Sequence, residues 1–149
     1  MYQSRIVGLG HYLPEKIVTN DDLSKLMDTD DAWITERTGI KERRMINKDS
    51  NEGTASMGVK AAEMALKRAD VSKYDIDLII FATLSPDLYF PGSGVLLQDL
   101  MGMGTCPALD IRNQCSGFIY GLSVADQFIK TGMYKNVLLG LKLCVHGAK

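Results

Sequence analysis

Two groups of residues in this 149-residue sequence have the types and spacing to do chemistry. The first centres on Cys115, within Asp110-Ile-Arg-Asn-Gln-Cys115-Ser-Gly-Phe-Ile-Tyr-Gly121. Cys106-Pro-Ala-Leu-Asp-Ile111 reads as a short buried strand, with Pro107 tolerated only near its start. A helical pattern begins at Ser116 and runs to about Thr131, closed by Gly132. The thiol therefore falls where a strand turns into a helix. Unpaired backbone N–H groups and the positive end of the helix dipole meet there, and both favour a thiolate. The same N–H groups can receive the oxyanion formed when sulfur attacks a carbonyl. The competing reading is an inert core cysteine.

The second group is Trp33 and Arg37, four residues apart and so on one face of a helix. They sit in Asp28-Thr-Asp-Asp-Ala-Trp33-Ile-Thr-Glu-Arg37-Thr38-Gly39-Ile40-Lys-Glu-Arg43-Arg44, where Thr29 can cap the helix and Gly39 can end it. As structure, this is a Trp packed under an Arg stem. As chemistry, it is a platform on which a flat base stacks while Arg37 and neighbouring arginines bind phosphate. A nucleotide-bearing molecule such as coenzyme A needs both.

The elements that must position these groups follow from the pattern of the chain. Arg5-Ile-Val-Gly8 is an expected first strand. Thr19 or Asn20 caps a short helix running through Leu26-Met27. A longer helix is expected from Thr54 to about Ala69, with Met57, Ala61, Met64, Ala65 and Leu66 on its apolar stripe. Leu78-Ile-Ile-Phe-Ala-Thr83 is an unbroken apolar run, suited to a parallel strand buried on both faces. A loop from Leu84 to Gly94 carries two prolines with Tyr89 and Phe90, a helix follows from about Val95 to Met101, and Asn136–Leu141 is the last strand. The order predicts one α/β domain over 1–149, with a mainly parallel sheet and helices on both faces.

Composition narrows the function classes. Seventeen Lys+Arg against eighteen Asp+Glu give a net charge of −1, so nothing points to nucleic acid as a partner. The three cysteines, at 106, 115 and 144, have no metal-ligand spacing, and any disulfide scheme leaves one over. No metal is expected, and a reducing compartment is. The first residues carry no long apolar run, so neither a membrane anchor nor a signal peptide is expected, and the cytoplasm is the expected location.

The helix after Cys115 bears Phe118, Ile119, Leu122, Val124, Ala125, Phe128 and Ile129 around most of its circumference. A helix apolar all round is one buried all round. One sheet covers only one side, so a second layer is expected from another chain or from further sequence.

Three segments, in order, resemble the N-terminal half of the β-ketoacyl-[acyl-carrier-protein] synthase III family, condensing enzymes of the thiolase fold. They are Gly-x-Gly-x-Tyr-Leu-Pro at Gly8 to Pro14, Trp-Ile-x-x-Arg-Thr-Gly-Ile-x-Glu-Arg at Trp33 to Arg43, and Asp-x-x-x-x-Cys-Ser-Gly-Phe at Asp110 to Phe118. The resemblance runs from Arg5 to about Leu139 and implies a thiolase-like half, with the helix after the nucleophile buried between two sheets. It implies that Cys115 takes an acyl group from acyl-CoA as a thioester at the start of fatty-acid synthesis. Thr29, Trp33, Arg37 and Thr38 would line the coenzyme A entrance, and Phe90 would reach across a homodimer interface to shape the acyl pocket. Acyl carrier protein would bring the second substrate. Coenzyme A enters as substrate, and no cofactor is implied.

The family completes condensation with a His and an Asn from its C-terminal half. His11 reads as a polar turn residue and His146 as part of a frayed end, so neither replaces that histidine. Leu141-Lys142-Leu143-Cys144 departs from the family pattern, as a shifted reading frame or a truncation would produce. Arg112 and Gln114 are bulkier or more polar than many members carry before the Cys, which leaves acyl preference open. The leading expectation is an acyltransferring, condensing enzyme whose isolated chain does not complete condensation. The alternatives are a non-catalytic remnant or partner subunit, or a related ketosynthase or hydroxymethylglutaryl-CoA synthase.

Overall fold

The computed structural model describes residues 2–47, 49–113 and 115–142. Gln114, Cys144 and His146 lie outside the described residues. The chain divides into two compact units, residues 13–52 and residues 1–12 with 53–149.

The smaller unit is built from β1 (Lys16–Thr19), α1 (Asn20–Ser24), α2 (Asp31–Thr38) and β2 (Glu42–Met45). The antiparallel ribbon pairs Lys16 with Met45 and Thr19 with Glu42. It was not expected, because Glu42-Arg-Arg-Met45 lacks an apolar alternation; its register instead serves Arg43, discussed below. Thr19 caps α1 as expected, its hydroxyl accepting from the N–H of Asp22 at 3.2 Å. The helix is shorter than expected, since Leu26 and Met27 both turn back to the carbonyl of Leu23. Thr29 does not cap α2. That role falls to Asp30, whose carboxylate accepts from the N–H of Trp33 at 2.7 Å. Gly39 ends the helix in a left-handed conformation (φ 70°), as its position required.

The larger unit carries α3 (Thr54–Ala69), a 3-10 turn at Lys73–Asp75, β3 (Leu78–Ala82), α4 (Ser93–Met101), β4 (Ala108–Ile111), α5 (Gly117–Lys130) and β5 (Val137–Leu141). Among the described residues the sheet runs β4-β3-β5, all parallel, with Phe81 opposite Asp110 on one side and Gly140 on the other. Every residue of β3 is buried, as its unbroken apolar run predicted. Alternation along β3 sends Ile79 and Phe81 to one face, packed with Ala55, Ala62, Leu97 and Met101 of α3 and α4. Leu78 and Ile80 face the other way, onto Ala125 of α5. Helices thus cover both faces of a parallel sheet.

The expected strand at Arg5–Gly8 does not form. That segment lies along α3, with Gly8 and Gly10 so close that a Cβ on either would collide with the carbonyls of Ala65 and Ala61. Arg68 of α3 donates to the carbonyl of Leu9 at 2.8 Å, so a helix side chain takes the place of a ladder partner. Nor is α5 buried all round within this chain. Gly117, Gly121 and Ala125 are buried against the sheet, whereas Ile119 and Tyr120 are 59% and 51% exposed. The outer side is where the second layer inferred above would lie.

α3 and α4 share a device that their own sequences do not show. Each has glycine at its N-cap, which offers no side-chain oxygen. The cap comes from elsewhere. Asp87 accepts from the N–H groups of Thr54 and Ala55 at 2.6 and 2.8 Å, and Asp110 accepts from that of Gly94 at 3.1 Å. A Cβ on Gly53 or Gly92 would collide with the carboxylate concerned, and Gly92 also holds φ at 109°. Glycine is what lets a foreign carboxylate reach each helix end.

Candidate active site

Parallel α/β sheets place ligand-binding groups beyond the carboxyl ends of their strands. Here those ends are tied together. Thr83, 3% exposed, donates its N–H to Ile111 at 3.1 Å and its hydroxyl to the carbonyl of Lys142 at 3.2 Å. The N–H of Lys142 in turn reaches the carbonyl of Ala82 at 3.1 Å. Cys115 follows directly from this end, in the turn between β4 and α5.

Small residues seat α5 on the sheet, and so place that turn. The Cα of Gly117 faces Ala82 and Asn113, with room for little more than a methyl group. One turn on, a Cβ at Gly121 would stand 2.6 Å from Leu139 Cδ1, so the helix axis rides close to β3 and β5. Tyr120 donates to Ser116 at 3.0 Å, closing the first turn. Helix geometry leaves the preceding N–H groups without intrahelical partners, pointing toward the segment that carries Cys115. The thiol is exposed and outside any disulfide. It is neither in mid-strand nor in the core. Cys106 is the opposite case: buried, with its sulfur 3.5 Å from the carbonyl of Ile76 and its thiol pKa pushed up by burial. The inert-core reading considered for Cys115 describes Cys106 instead.

Phe90 belongs to the same unit, on the loop between β3 and α4, and is 89% exposed. Its neighbours Leu88 and Tyr89 are 50% and 81% exposed. The loop is not loose, because the Arg112 guanidinium hydrogen-bonds the carbonyl of Tyr89 and lies 4.9 Å from its ring centroid.

Trp33, Arg37 and Thr38 lie on α2 of the smaller unit, with Thr29 just before it. The Arg37 guanidinium sits 4.5 Å from the centre of the Trp33 ring, yet Trp33 stays 52% exposed. Packing of Arg on Trp and a ring open to a ligand are therefore both present. Thr38 turns its hydroxyl back to the carbonyl of Ile34 at 2.7 Å. The Thr29 hydroxyl oxygen is buried and, among the described residues, has no hydrogen-bond partner. Arg43 and Arg44 are engaged within the unit. Arg43 donates to Asn20 at 2.7 Å and to the carbonyl of Val18 at 3.2 Å, and Arg44 to that of Glu15 at 3.3 Å. Arg37, which reaches the carbonyl of Trp33 at 3.5 Å and exposed Glu36 at 3.6 Å and is half exposed, is the better placed of the three for a phosphate.

Sequence reasoning missed the residues that hold these parts in place. Asn20, 1% exposed, donates to Asp31 at 2.7 Å and to the carbonyl of Ile40 at 2.8 Å while accepting from Arg43. It joins both ends of α2 to β2. Asp87, Asp110 and Arg112 do similar work in the larger unit. A polar residue amid helix-start signals reads as a cap, and nothing local distinguishes one whose partners are distant.

No cluster of three or more His, Cys, Asp or Glu side chains suited to a metal occurs among the described residues. None of their helices is long and apolar enough to cross a membrane.

The comparisons with known proteins agree with this geometry. A family model described as 3-Oxoacyl-[acyl-carrier-protein (ACP)] synthase III matches residues 109–140. The chain is 50% identical over 134 residues to the β-ketoacyl-[acyl-carrier-protein] synthase III of Caldanaerobacter subterraneus subsp. tengcongensis, covering 90% of this chain and 40% of that protein. It is 53% identical over 136 residues to β-ketoacyl-[acyl-carrier-protein] synthase III 1 of Vibrio vulnificus, covering 91% and 42%. The crystal structure of 3-oxoacyl-[acyl-carrier-protein] synthase III from Aquifex aeolicus superimposes with a TM-score of 0.86 at 47% identity, over 93% of this chain and 44% of that one. The priming β-ketosynthase of the R1128 polyketide pathway superimposes at 0.87 with 32% identity, over 93% and 41%. The chain thus spans about two-fifths of the length of these relatives. In sequence and in fold, the chain resembles the N-terminal half of the β-ketoacyl-[acyl-carrier-protein] synthase III family.

Proposed function

We propose that Cys115 is the nucleophile of an acyltransferring, condensing enzyme that begins fatty-acid synthesis. The observation that carries this is the exposed thiol in the turn between β4 and α5, at the carboxyl end of a parallel sheet. The thiolate adds to the carbonyl of an acyl-CoA thioester, and N–H groups of the first turn of α5 receive the oxyanion. Collapse breaks the carbon–sulfur bond to coenzyme A, whose thiolate leaves and takes up a proton. The acyl group remains on Cys115. Thr29, Trp33, Arg37 and Thr38 bind the nucleotide end of the donor, Trp33 by stacking and Arg37 at phosphate.

In the second half, malonyl-[acyl-carrier-protein] loses carbon dioxide, and the resulting carbanion attacks the acyl-Cys115 carbonyl. A carbon–carbon bond forms and the thiolate is released. This half calls on a histidine and an asparagine, which in the family come from the C-terminal half. The residues placed above serve the transfer half. Acyl-CoA and acyl carrier protein are its partners, with a second copy of the chain meeting the Phe90 loop. The exposed apolar stretch Leu88-Tyr89-Phe90 supports that contact. Thiols outside disulfides at Cys106 and Cys115 fit a cytoplasmic setting. The likeness to the R1128 priming ketosynthase supports a second reading, in which the acyl-enzyme primes a different chain-building pathway.

Incubation with acetyl-CoA or octanoyl-CoA, followed by intact-mass measurement, tests the transfer. One acyl adduct is expected, and none on Cys115→Ala. A folded chain that takes up no acyl group refutes the reading in favour of a binding remnant.

A further inference from the structure

The segment leading to Gly8 is a strap held at both ends. The Tyr2 ring lies against Gly132, the Ser4 hydroxyl donates to Asp126, and Gly8 sits on α3 with no space for a Cβ. Between these anchors the strap does not close on the sheet. Among the described residues β5 pairs with β3 alone, so its outer edge has no strand beside it. What lies between strap and edge is a groove of about 360 Å³. Small-molecule sites start at about 300 Å³, so there is room for one alkyl chain of medium length. The floor is apolar, with Leu66 of α3, Ile76, Ile129 of α5, and Val137 and Leu138 of β5. The rim is cationic. Arg5 and Lys135 both line the groove, and among the described residues neither side-chain cation has a hydrogen-bond or ion-pair partner. The carboxylates of this region are engaged already. Asp77 accepts from the backbone N–H groups of Lys135 and Asn136 at 2.8 and 2.9 Å, and Asp126 accepts from Ser4 and pairs with Lys130 at 2.8 Å.

We propose that this groove is a second ligand site, for a free medium-chain fatty carboxylate. Arg5 and Lys135 hold the carboxylate, and the alkyl chain lies on Leu66, Val137 and Leu138. A guanidinium offers a carboxylate two parallel N–H groups, and the ammonium adds a second charge. Each methylene withdrawn from water raises affinity roughly threefold to fourfold until the groove is full. The site is distinct from the Cys115 turn. It opens at the amino end of β5, whereas Cys115 follows the carboxyl end of β4, and about 15 Å of parallel sheet separates those ends. It does not depend on acyl transfer, because a free carboxylate has no leaving group and forms no thioester.

Calorimetry on the full chain with hexanoate, octanoate, decanoate and dodecanoate, each below its micelle concentration, tests the site. Affinity should rise about threefold per methylene from hexanoate to decanoate. Decanoate should slow amide hydrogen exchange in residues 3–9 and 135–138 by about threefold and leave 116–121 unchanged. Arg5→Gln combined with Lys135→Gln should weaken decanoate about fivefold with the unfolding midpoint unaltered, since neither side chain has a partner to lose. Decyltrimethylammonium, which has the same tail and the opposite charge, should bind at least about tenfold more weakly. Absence of binding overturns the site, as does protection confined to the Cys115 turn or the outer side of α5. Equal binding of the two head groups, or an unchanged affinity in the double variant, overturns the carboxylate assignment. Phosphatidylglycerol vesicles should not sediment the chain; sedimentation that the double variant loses would give the rim to a membrane surface and overturn the free carboxylate. Failure of Cys115 to take up an acyl group refutes the transfer reading and leaves this site standing.

Discussion

Cys106 and Cys115 are nine positions apart in the chain, and their surroundings give them different chemistry. Cys106 is 7% exposed, packed in the cluster of Ile79 and Phe81, and burial raises the pKa of its thiol. Cys115 is exposed at a helix start. Brief iodoacetamide treatment near neutral pH, read by peptide mapping, should therefore modify Cys115 at least about tenfold faster than Cys106. Equal labelling would mean the core opens on the same timescale. At the other candidate site, the Trp33 ring with Arg37 over it calls for a similar comparison. Trp33→Ala should weaken coenzyme A binding by about 1–2 kcal/mol, the range for stacking and cation–π contacts, as measured by calorimetry. Both groups were legible in the sequence because their cue is local: a thiol at a strand–helix junction, and an aromatic and a guanidinium four apart on a helix. Arg112 and Asn20 were not legible, since what they do depends on Tyr89 and on Asp31, Ile40 and Arg43.

At the scale of elements, the borrowed caps make the sharpest case. Asp87→Ala strips the acceptor from two N–H groups at the start of α3, and should cost about 1–2 kcal/mol in urea unfolding. Asp110 adds a pH signature. Burial raises its pKa above the ordinary carboxylate value, against the lowering effect of the Gly94 N–H and of Arg112. The folded state then holds that proton more readily than the unfolded chain does, so its contribution to stability falls as pH rises from about 3.9 through the raised value. Asp110→Asn, which keeps an oxygen acceptor, should flatten the pH dependence of the urea midpoint across that window. A slope unchanged by the substitution would assign it to other groups. The span of α3, expected from Thr54 to about Ala69, was readable because its apolar stripe is long and regular. The ribbon of β1 and β2 was not, for four-residue strands, one of them Glu-Arg-Arg-Met, carry too little pattern. Arg5–Gly8 misled for the reverse reason. Its composition suits a strand, but Gly8 and Gly10 lie against α3 with no space for a Cβ, and Arg68 takes the carbonyl of Leu9.

For the molecule as a whole, the open side of α5 and the Phe90 tip set what the chain tolerates. Ile119→Ser should change unfolding free energy by no more than about 0.5 kcal/mol, whereas Phe81→Ala, at 1% exposure, should cost about 3–5 kcal/mol. Sedimentation velocity addresses pairing: if copies meet through the loop, Phe90→Asp shifts a dimer to monomer, and an unshifted profile places the contact elsewhere. The parallel sheet and the helices on both its faces followed from the alternation of apolar runs and helical stripes, whereas the strand order β4-β3-β5 did not. What the sequence could only imply was the missing cover on α5, because a helix pattern records how much surface must be hidden and not what hides it.

The carboxylates that close α3 and α4 have a consequence for how the chain is made. Asp87 lies 33 residues beyond the N–H group of Thr54, and Asp110 lies 16 beyond that of Gly94. A ribosome synthesising this protein releases each helix well before the residue that seals its beginning. Neither helix is finished on its own; each stays frayed at its leading end until the following strand has emerged and docked. A nascent chain halted with α3 outside the ribosome and Asp87 still inside should be cut within α3, and one extended until Asp87 has emerged should resist.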